Sequence, residues 1–292
     1  MNTARIALAT ASEVEGGLDA EGMQLRDALR GAGAAAEPAV WDDETVDWGA
    51  FDVVVVRSTW DYARRHDEFI AWTQRVSQLT RLHNPADVLA WNTDKRYVRD
   101  LAAAGVPIVP TEFLEPGDDP SAHDFLHEEH VVKPVVSAGS KDTLRFTADE
   151  PERSISHAGS LLDAGRVVMV QPYLASVDEV GETAVVVIGG TVSHAMRKGP
   201  LLTRGMQPAA GLFLQEEMSR RDAAPDELLV AERALAAVPN AADLLYARID
   251  LLRAPDGPVV LELELTEPSL FLDHVPGSAD RLAAAILAAV GR

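Results

Sequence analysis

Three carboxylates near the C-terminal end are spaced so that they can gather. Asp250 lies in the apolar run Arg248-Ile249-Asp250-Leu251-Leu252, and Glu262 and Glu264 lie in a second one. Ala254-Pro255-Asp256-Gly257-Pro258 between the runs is a turn sequence, so a hairpin is expected. Alternate strand residues share a face, which puts Glu262 and Glu264 on one side, with Asp250 opposite them across the strands. Like charges that close raise each other's pKa unless a cation neutralises them, and oxygen donors of this kind suit Mg²⁺. A solvated edge hairpin has the same pattern, so these residues by themselves leave both open.

Cations stand elsewhere in the chain. Lys133 ends the run His130-Val131-Val132 and is followed by Ser137-Ala138-Gly139-Ser140, a small-residue loop whose N–H groups can approach phosphate oxygens. A lysine at a strand end is more often simply solvated. Lys95, expected near the start of a helix, opposes the helix dipole, which hints at an anion nearby. Val56-Arg57-Ser58-Thr59-Trp60-Asp61-Tyr62 follows the strongest strand of the first third, where an open parallel sheet binds its ligand. There Arg57 can grip a carboxylate, Ser58 and Thr59 add hydrogen bonds, and Trp60 offers a stacking wall beside Asp61. Gln171-Pro172-Tyr173-Leu174 is a proline-fixed link whose free backbone groups suit a flat heterocycle, and Glu182, opening the next strand, suits ribose hydroxyls. Taken alone, that link favours an ordinary interdomain connection.

The elements that must position these residues follow from periodicity. Strands are expected at 5–10, 39–41 and 52–56, the last β-branched and buried on both faces, with helices at 19–31 and 64–79. Alternation in this order favours a parallel sheet. A helix is expected at 93–104, with Asn92 or Thr93 as its N-cap and Gly105 as its stop. A small α+β block follows, with strands at 131–134, 143–146 and 167–170 and a helix at 150–164. The last third carries long strands at 183–189, 191–196, 244–252 and 259–265 and helices at 226–237 and 278–290.

The 292 residues suffice for two domains, or one large α/β unit with a subdomain, and carry 26 Lys and Arg against 46 Asp and Glu, a formal net charge of −20. Such a surface repels phosphate backbones and anionic lipid, which speaks against a nucleic-acid or membrane partner. The absence of cysteine rules out disulfides, thiolate metal sites and a Cys nucleophile. With no signal-like start and no apolar stretch long enough for a span, a cytoplasmic protein is expected.

In order, the chain presents Lys95, Val132-Lys133-Pro134 with residues 137–140, Gln171-Pro172-Tyr173-Leu174, Gly181-Glu182, Arg248-Ile249-Asp250 and Glu262-Leu263-Glu264 with Thr266-Glu267-Pro268-Ser269. This succession, from Trp91 to Leu272, resembles the ATP-grasp ligases, particularly those like glutathione synthetase and D-alanine–D-alanine ligase. Arg57-Ser58-Thr59-Trp60-Asp61-Tyr62 with Trp91-Asn92-Thr93-Asp94-Lys95 resembles the subgroup that includes D-cycloserine synthetase.

The resemblance implies an α/β fold with α+β subdomains. Its parts are an N-terminal doubly wound parallel-sheet domain (1–88), a small central lid (89–172) and a C-terminal mixed-sheet domain with the metal site (173–292). It implies ATP and Mg²⁺. Lys95 and Lys133 would hold the phosphates under the loop of Ser137 and Ser140; Gln171, Tyr173 and Leu174 would bind adenine, and Glu182 the ribose. Asp250, Glu262 and Glu264 would be the metal ligands, although the family more often has Asn at the position of Glu264. Arg248 would steady charge on an acyl phosphate. Arg197-Lys198 closes a strand before a Gly- and Pro-containing stretch, 199–211, read as an active-site flap with Lys198 near the γ-phosphate, although a plain surface loop fits the stretch equally well.

The implied reaction activates a carboxylate as an acyl phosphate for C–N bond formation. In the subgroup it cyclises O-ureido-D-serine to D-cycloserine, an antibiotic. An intermolecular ligase of peptide or glutathione type and a non-catalytic nucleotide-binding module are the alternatives. The expected partners are ATP and a small amino-acid-like substrate, and a homodimer is expected by analogy.

Overall fold

The computed structural model describes residues 3–202 and 217–291, in which three sheets follow one another along the chain. The first is built from β1 (Arg5–Thr10), α1 (Ala20–Gly31), β2 (Ala35–Val40), β3 (Val53–Ser58), α2 (His66–Ser77) and β4 (Arg81–His83). Its order is β2-β1-β3-β4 and every pairing is parallel. The valine run of β3 serves two cores at once. Val53 and Val55 pack with Ile6, Leu8 and the α1 residues Leu25 and Leu29, while Val54 and Val56 pack with Ala7, Ala9, Phe69 and Trp72. A strand buried on both faces has no polar side, which is why the run does not alternate.

The helix expected at 93–104 begins late, as α4 (Tyr97–Ala103), and is preceded by a separate helix, α3 (Ala86–Asn92). Thr93 closes the first rather than opening the second: its N–H (3.0 Å) and hydroxyl (2.9 Å) both donate to the Leu89 carbonyl. The Lys95 N–H leaves the helical pattern to donate to the Val135 carbonyl at 3.0 Å. A tertiary hydrogen bond thus overrides a continuous helical propensity.

The second sheet, with order β5-β8-β6-β7, contains β5 (Glu112–Leu114), β6 (His130–Pro134), β7 (Leu144–Phe146) and β8 (Val168–Pro172), covered by α5 (Pro151–Asp163). After the short α6 (Ser176–Val180) come β9 (Glu182–Ile188), β10 (Thr191–Lys198), β11 (Met218–Arg221), α7 (Pro225–Ala236), β12 (Tyr246–Ala254), β13 (Gly257–Glu264) and α8 (Ser278–Val290). Their strands form a five-stranded sheet in the order β11-β10-β9-β12-β13. Expected to be mixed, it is antiparallel at every ladder; the bridge of Ile108 to Val260 is its parallel contact. Of the expected flap, residues 203–211 lie outside the described residues. Strands β4, β5 and β11 and helix α6 carry too few periodic residues to be read in advance.

One cluster joins the first and third sheets: Ile6, Leu8 and Val53 share it with Val186, Tyr246 and the α8 residues Leu282 and Ile286. The carboxyl end of β3 is thereby held against the β12–β13 hairpin. Among the described residues no helix is long and apolar enough to cross a membrane.

Candidate active site

The turn at 255–256 joins β12 to β13 in a register that sets Asp250 opposite Glu262 and Arg248 opposite Glu264. A bulge follows, since Leu251 pairs with Val260 and leaves Leu261 over, which adds twist at this end. Leu263 and Leu265 turn into the core with α7, so Glu262 and Glu264 face the other way, into a cavity of about 430 Å³ where the three sheets meet. Asn92 holds the backbone between them: its amide donates to Leu263 O (2.7 Å) and accepts from Leu265 N–H (2.8 Å), on either side of Glu264. The Tyr97 hydroxyl accepts from Leu263 N–H at 2.8 Å.

The cavity gathers Lys95, Lys133, Ser137, Ser140, Gln171, Tyr173, Leu174, Glu182, Lys198, Arg248, Asp250, Glu262 and Glu264. Each charge is set by its neighbours. Asp250, almost wholly buried, is held below the usual carboxylate range; burial opposes this, but Arg248 (2.9 Å) and Lys198 (3.0 Å) outweigh it. Lys198 also pairs with Glu182 at 3.0 Å. Gly181 makes that pair reachable, because with φ 77°, unsuited to other residues, it brings β9 against the end of β10; a Cβ there would sit 2.3 Å from the Lys198 carbonyl oxygen.

Lys95 donates to Ser137 O (3.0 Å) and Ser137 Oγ (3.3 Å) and pairs with Glu262 (3.0 Å), which ties the helix break to the small-residue loop. Burial works against its ammonium, yet Glu262, Glu264 and Glu267 carry its pKa above the ordinary value. Lys133 goes the other way. It is 7% exposed and makes no hydrogen bond or ion pair among the described residues. Burial pulls its pKa down, helped by the nearby Lys95 and Lys198 and opposed by Glu262 and Glu182. Glu264 is pushed up to about 8 by burial and by Asp250, Glu262 and Glu267, although Arg248 bonds it directly.

At the other end of the cavity stand Arg57, Ser58 and Trp60. Arg57 is 3% exposed; its Nη2 donates to Pro268 O at 3.0 Å, while Nε and Nη1 have no hydrogen-bond partner among the described residues. Two expected residues do not line the cavity. Thr59 is wholly buried, and Asp61 turns away to accept from Trp41 Nε1 at 2.8 Å. Beyond β3 the chain enters a tight helical turn at Trp60–Arg64, so strand alternation no longer predicts direction. Tyr62, not singled out in the sequence, takes the place beside Glu267, whose carboxyl burial pushes up. Arg197 is likewise corrected: next to Lys198 on a strand it faces the opposite side, where Nε donates to Val180 O at 2.8 Å. The Gln171 side chain donates to Thr111 Oγ1 (2.9 Å).

A family model described as D-cycloserine synthetase DcsG, N-terminal domain, matches residues 6–84, the segment that ends just past the Arg57–Tyr62 wall. The cycloserine biosynthesis protein DcsG of Streptomyces lavendulae is 42% identical over 275 residues, covering 90% of this chain and 91% of that protein. The chain belongs to the D-cycloserine synthetase family of ATP-grasp ligases. A crystal structure of D-cycloserine synthetase DcsG superposes with a TM-score of 0.87 at 40% identity, over 98% of this chain and 99% of that one. D-alanine–D-alanine ligase from Bacillus anthracis, solved in complex with ATP, shares the fold at a TM-score of 0.70 and 15% identity, over 99% and 98% of the two chains.

ATP-grasp ligases imply a divalent cation, and the residues present fit one. Asp250, Glu262 and Glu264 offer hard oxygen donors on one wall, where burial and the neighbouring carboxylates push the Glu264 carboxyl up against the pull of Arg248. Among the described residues no group of three or more His, Cys, Asp or Glu side chains is arranged to hold a metal ion by itself. An ion such as Mg²⁺ would therefore need waters and phosphate oxygens to fill its octahedron beside one or two of these carboxylates.

Proposed function

We propose that the chain is an ATP-dependent, ADP-forming cyclo-ligase that converts O-ureido-D-serine to D-cycloserine. The observation that carries it is a single cavity in which buried cations keep donors unmet: among the described residues Lys133 makes no hydrogen bond or ion pair, and Arg57 Nε and Nη1 have no hydrogen-bond partner. A buried charge in that state calls for an anionic ligand. Two such groups at the two ends suit a triphosphate and a carboxylate, and the kinship with D-cycloserine synthetase supplies the chemistry.

In this proposal Lys95 and Lys133, beneath the loop of Ser137 and Ser140, hold the phosphates. Gln171, Tyr173 and Leu174 line the adenine end. Glu182 exchanges Lys198 for the ribose hydroxyls, which frees Lys198 to meet the γ-phosphate. Arg57 orients the substrate carboxylate, one oxygen of which attacks the γ-phosphorus as ADP leaves. The side-chain nitrogen bonded to oxygen then attacks the acyl carbon, closes the ring and expels phosphate, and hydrolysis by water releases the carbamoyl group as CO₂ and ammonia. Arg248 steadies the negative charge that builds on the acyl oxygen. A bound Mg²⁺ would neutralise phosphate charge and so allow two anions to approach. The protein needs no nucleophile of its own, since positioning and countercharge do the catalysis.

ADP release from ATP, measured against amino acids that include O-ureido-D-serine and with products read by mass spectrometry, tests this. ADP and D-cycloserine formed with O-ureido-D-serine alone are expected. ADP formed only when a second amine is added would replace cyclisation by intermolecular ligation. No ADP with any candidate would favour a nucleotide-binding module.

A further inference from the structure

Glu21 carries no motif and lies in the first turn of α1, yet it is bound to the far end of the chain. Its carboxylate accepts from Ser269 Oγ, from Leu270 N–H (2.8 Å) and from Phe271 N–H (2.9 Å). Its Oε2 also stands 3.5 Å from Arg57 Nη2. A buried carboxylate with both oxygens engaged by one short segment is a fixed point for that segment.

The segment matters because it backs both arginines of the cavity. Pro268 O accepts from Arg57 Nη2 at 3.0 Å, and the next carbonyl, Ser269 O, accepts from Arg248 Nη1 at 3.0 Å. Phe271, whose ring lies 5.4 Å from the Arg248 guanidinium, has φ 54°, in the left-handed region. A bulky residue stays there only where its surroundings over-determine it. The Glu21 bond to its N–H is one such contact.

We propose that Glu21 is a positioning residue that holds 268–271 so that Arg57 and Arg248 address the same substrate carboxylate. The proposal rests on the functional reading above. It requires the carboxylate and not merely its bulk. The segment brings two N–H donors and a hydroxyl, with a guanidinium alongside. Glutamine has one oxygen acceptor, and its NH₂ would face a donor. Glu21→Gln therefore loosens the latch at nearly constant volume.

Two measurements on the full chain test it. In hydrogen–deuterium exchange, Glu21→Gln is expected to speed exchange of the Leu270 and Phe271 amides at least tenfold, with the β13 amides unchanged. In steady-state ADP release, Glu21→Gln is expected to raise KM for O-ureido-D-serine and lower its kcat/KM by about 10²-fold. KM for ATP stays within twofold. Ser269→Ala, which removes one donor to Glu21, is expected to cost little more in the Glu21→Gln background, since both act through one contact. Unchanged exchange at 270–271 overturns the proposal. So does a kcat/KM within twofold of wild type, a matching rise in KM for ATP, or full additivity with Ser269→Ala. If wild type releases no ADP with O-ureido-D-serine or the other amino acids, the functional reading fails, and the exchange measurement alone decides the latch.

Discussion

Replacing Lys133 by Met separates binding from folding by sign. In the unliganded chain this ammonium is buried, lacks a hydrogen-bond or ion-pair partner among the described residues and has its pKa pulled down, all marks of a charge that costs free energy where it stands. Methionine keeps the reach of the side chain and removes that cost. By analogy with buried ions replaced by apolar residues of similar volume, the unliganded protein should be as stable as wild type or more so, by up to roughly 1–4 kcal/mol. Binding should move the other way. A charge-assisted hydrogen bond to a buried partner is worth about 1.5–3 kcal/mol. Its loss corresponds to a drop of roughly 10- to 150-fold in affinity for the triphosphate. Titration calorimetry with a non-hydrolysable ATP analogue gives the second quantity, and denaturant unfolding without nucleotide gives the first. Affinity within twofold of wild type would refute the phosphate role. A loss of unliganded stability beyond about 1 kcal/mol would refute the claim that this charge is held for a ligand and not for the fold.

Exchanging Arg248 for Lys keeps a charge beside Asp250 and Glu264 but loses the planar fork, so kcat should fall by about 10²–10³-fold with ATP affinity retained; an unchanged kcat removes Arg248 from the chemistry. Asp61→Ala should leave KM values alone and cost about 1–3 kcal/mol of stability, because it strands the buried Trp41 Nε1–H; a specific rise in substrate KM would return Asp61 to the site. His123, buried with neither ring nitrogen bonded among the described residues, is pulled down to about 4 by burial and by His130. Its neutral ring therefore supports the fold fully above about pH 6.5. As pH falls from there toward 4, the unfolded chain binds the extra proton and stability drops by at most about 1.4 kcal/mol per pH unit for this group. Denaturant unfolding of His123→Phe should show a shallower loss over that window; an equal slope would assign the effect to other groups.

Much of the scaffold was legible because its signals are local. The valine run of β3, the turn between β12 and β13 and the apolar period of α8 each state their structure within about a dozen residues. The order of lysines, acids and Arg248 was legible too, and every one of those residues lines one cavity. What was misread lies where a distant partner decides. Thr93 and Lys95 look helical until the Val135 carbonyl takes an N–H, and Asp61 looks like a ligand until the Trp41 indole claims it. Arg197 and Lys198 read alike in composition, and only the pleat sends one inward.

Sequence alone determined which chemical groups the chain owns and the order in which it spends them along alternating apolar runs, and that sufficed for the family. Which groups face one another belonged to the folded chain. Glu21 meets Leu270 across 249 positions, and Asn92 meets Leu265 across 173, and no periodicity of 2 or 3.6 residues spans such gaps. The same holds for charge state. Glu264 and Asp250 are both carboxylates on neighbouring strands, yet one is driven up and the other down, because desolvation and neighbouring charge are set by packing and not by residue type.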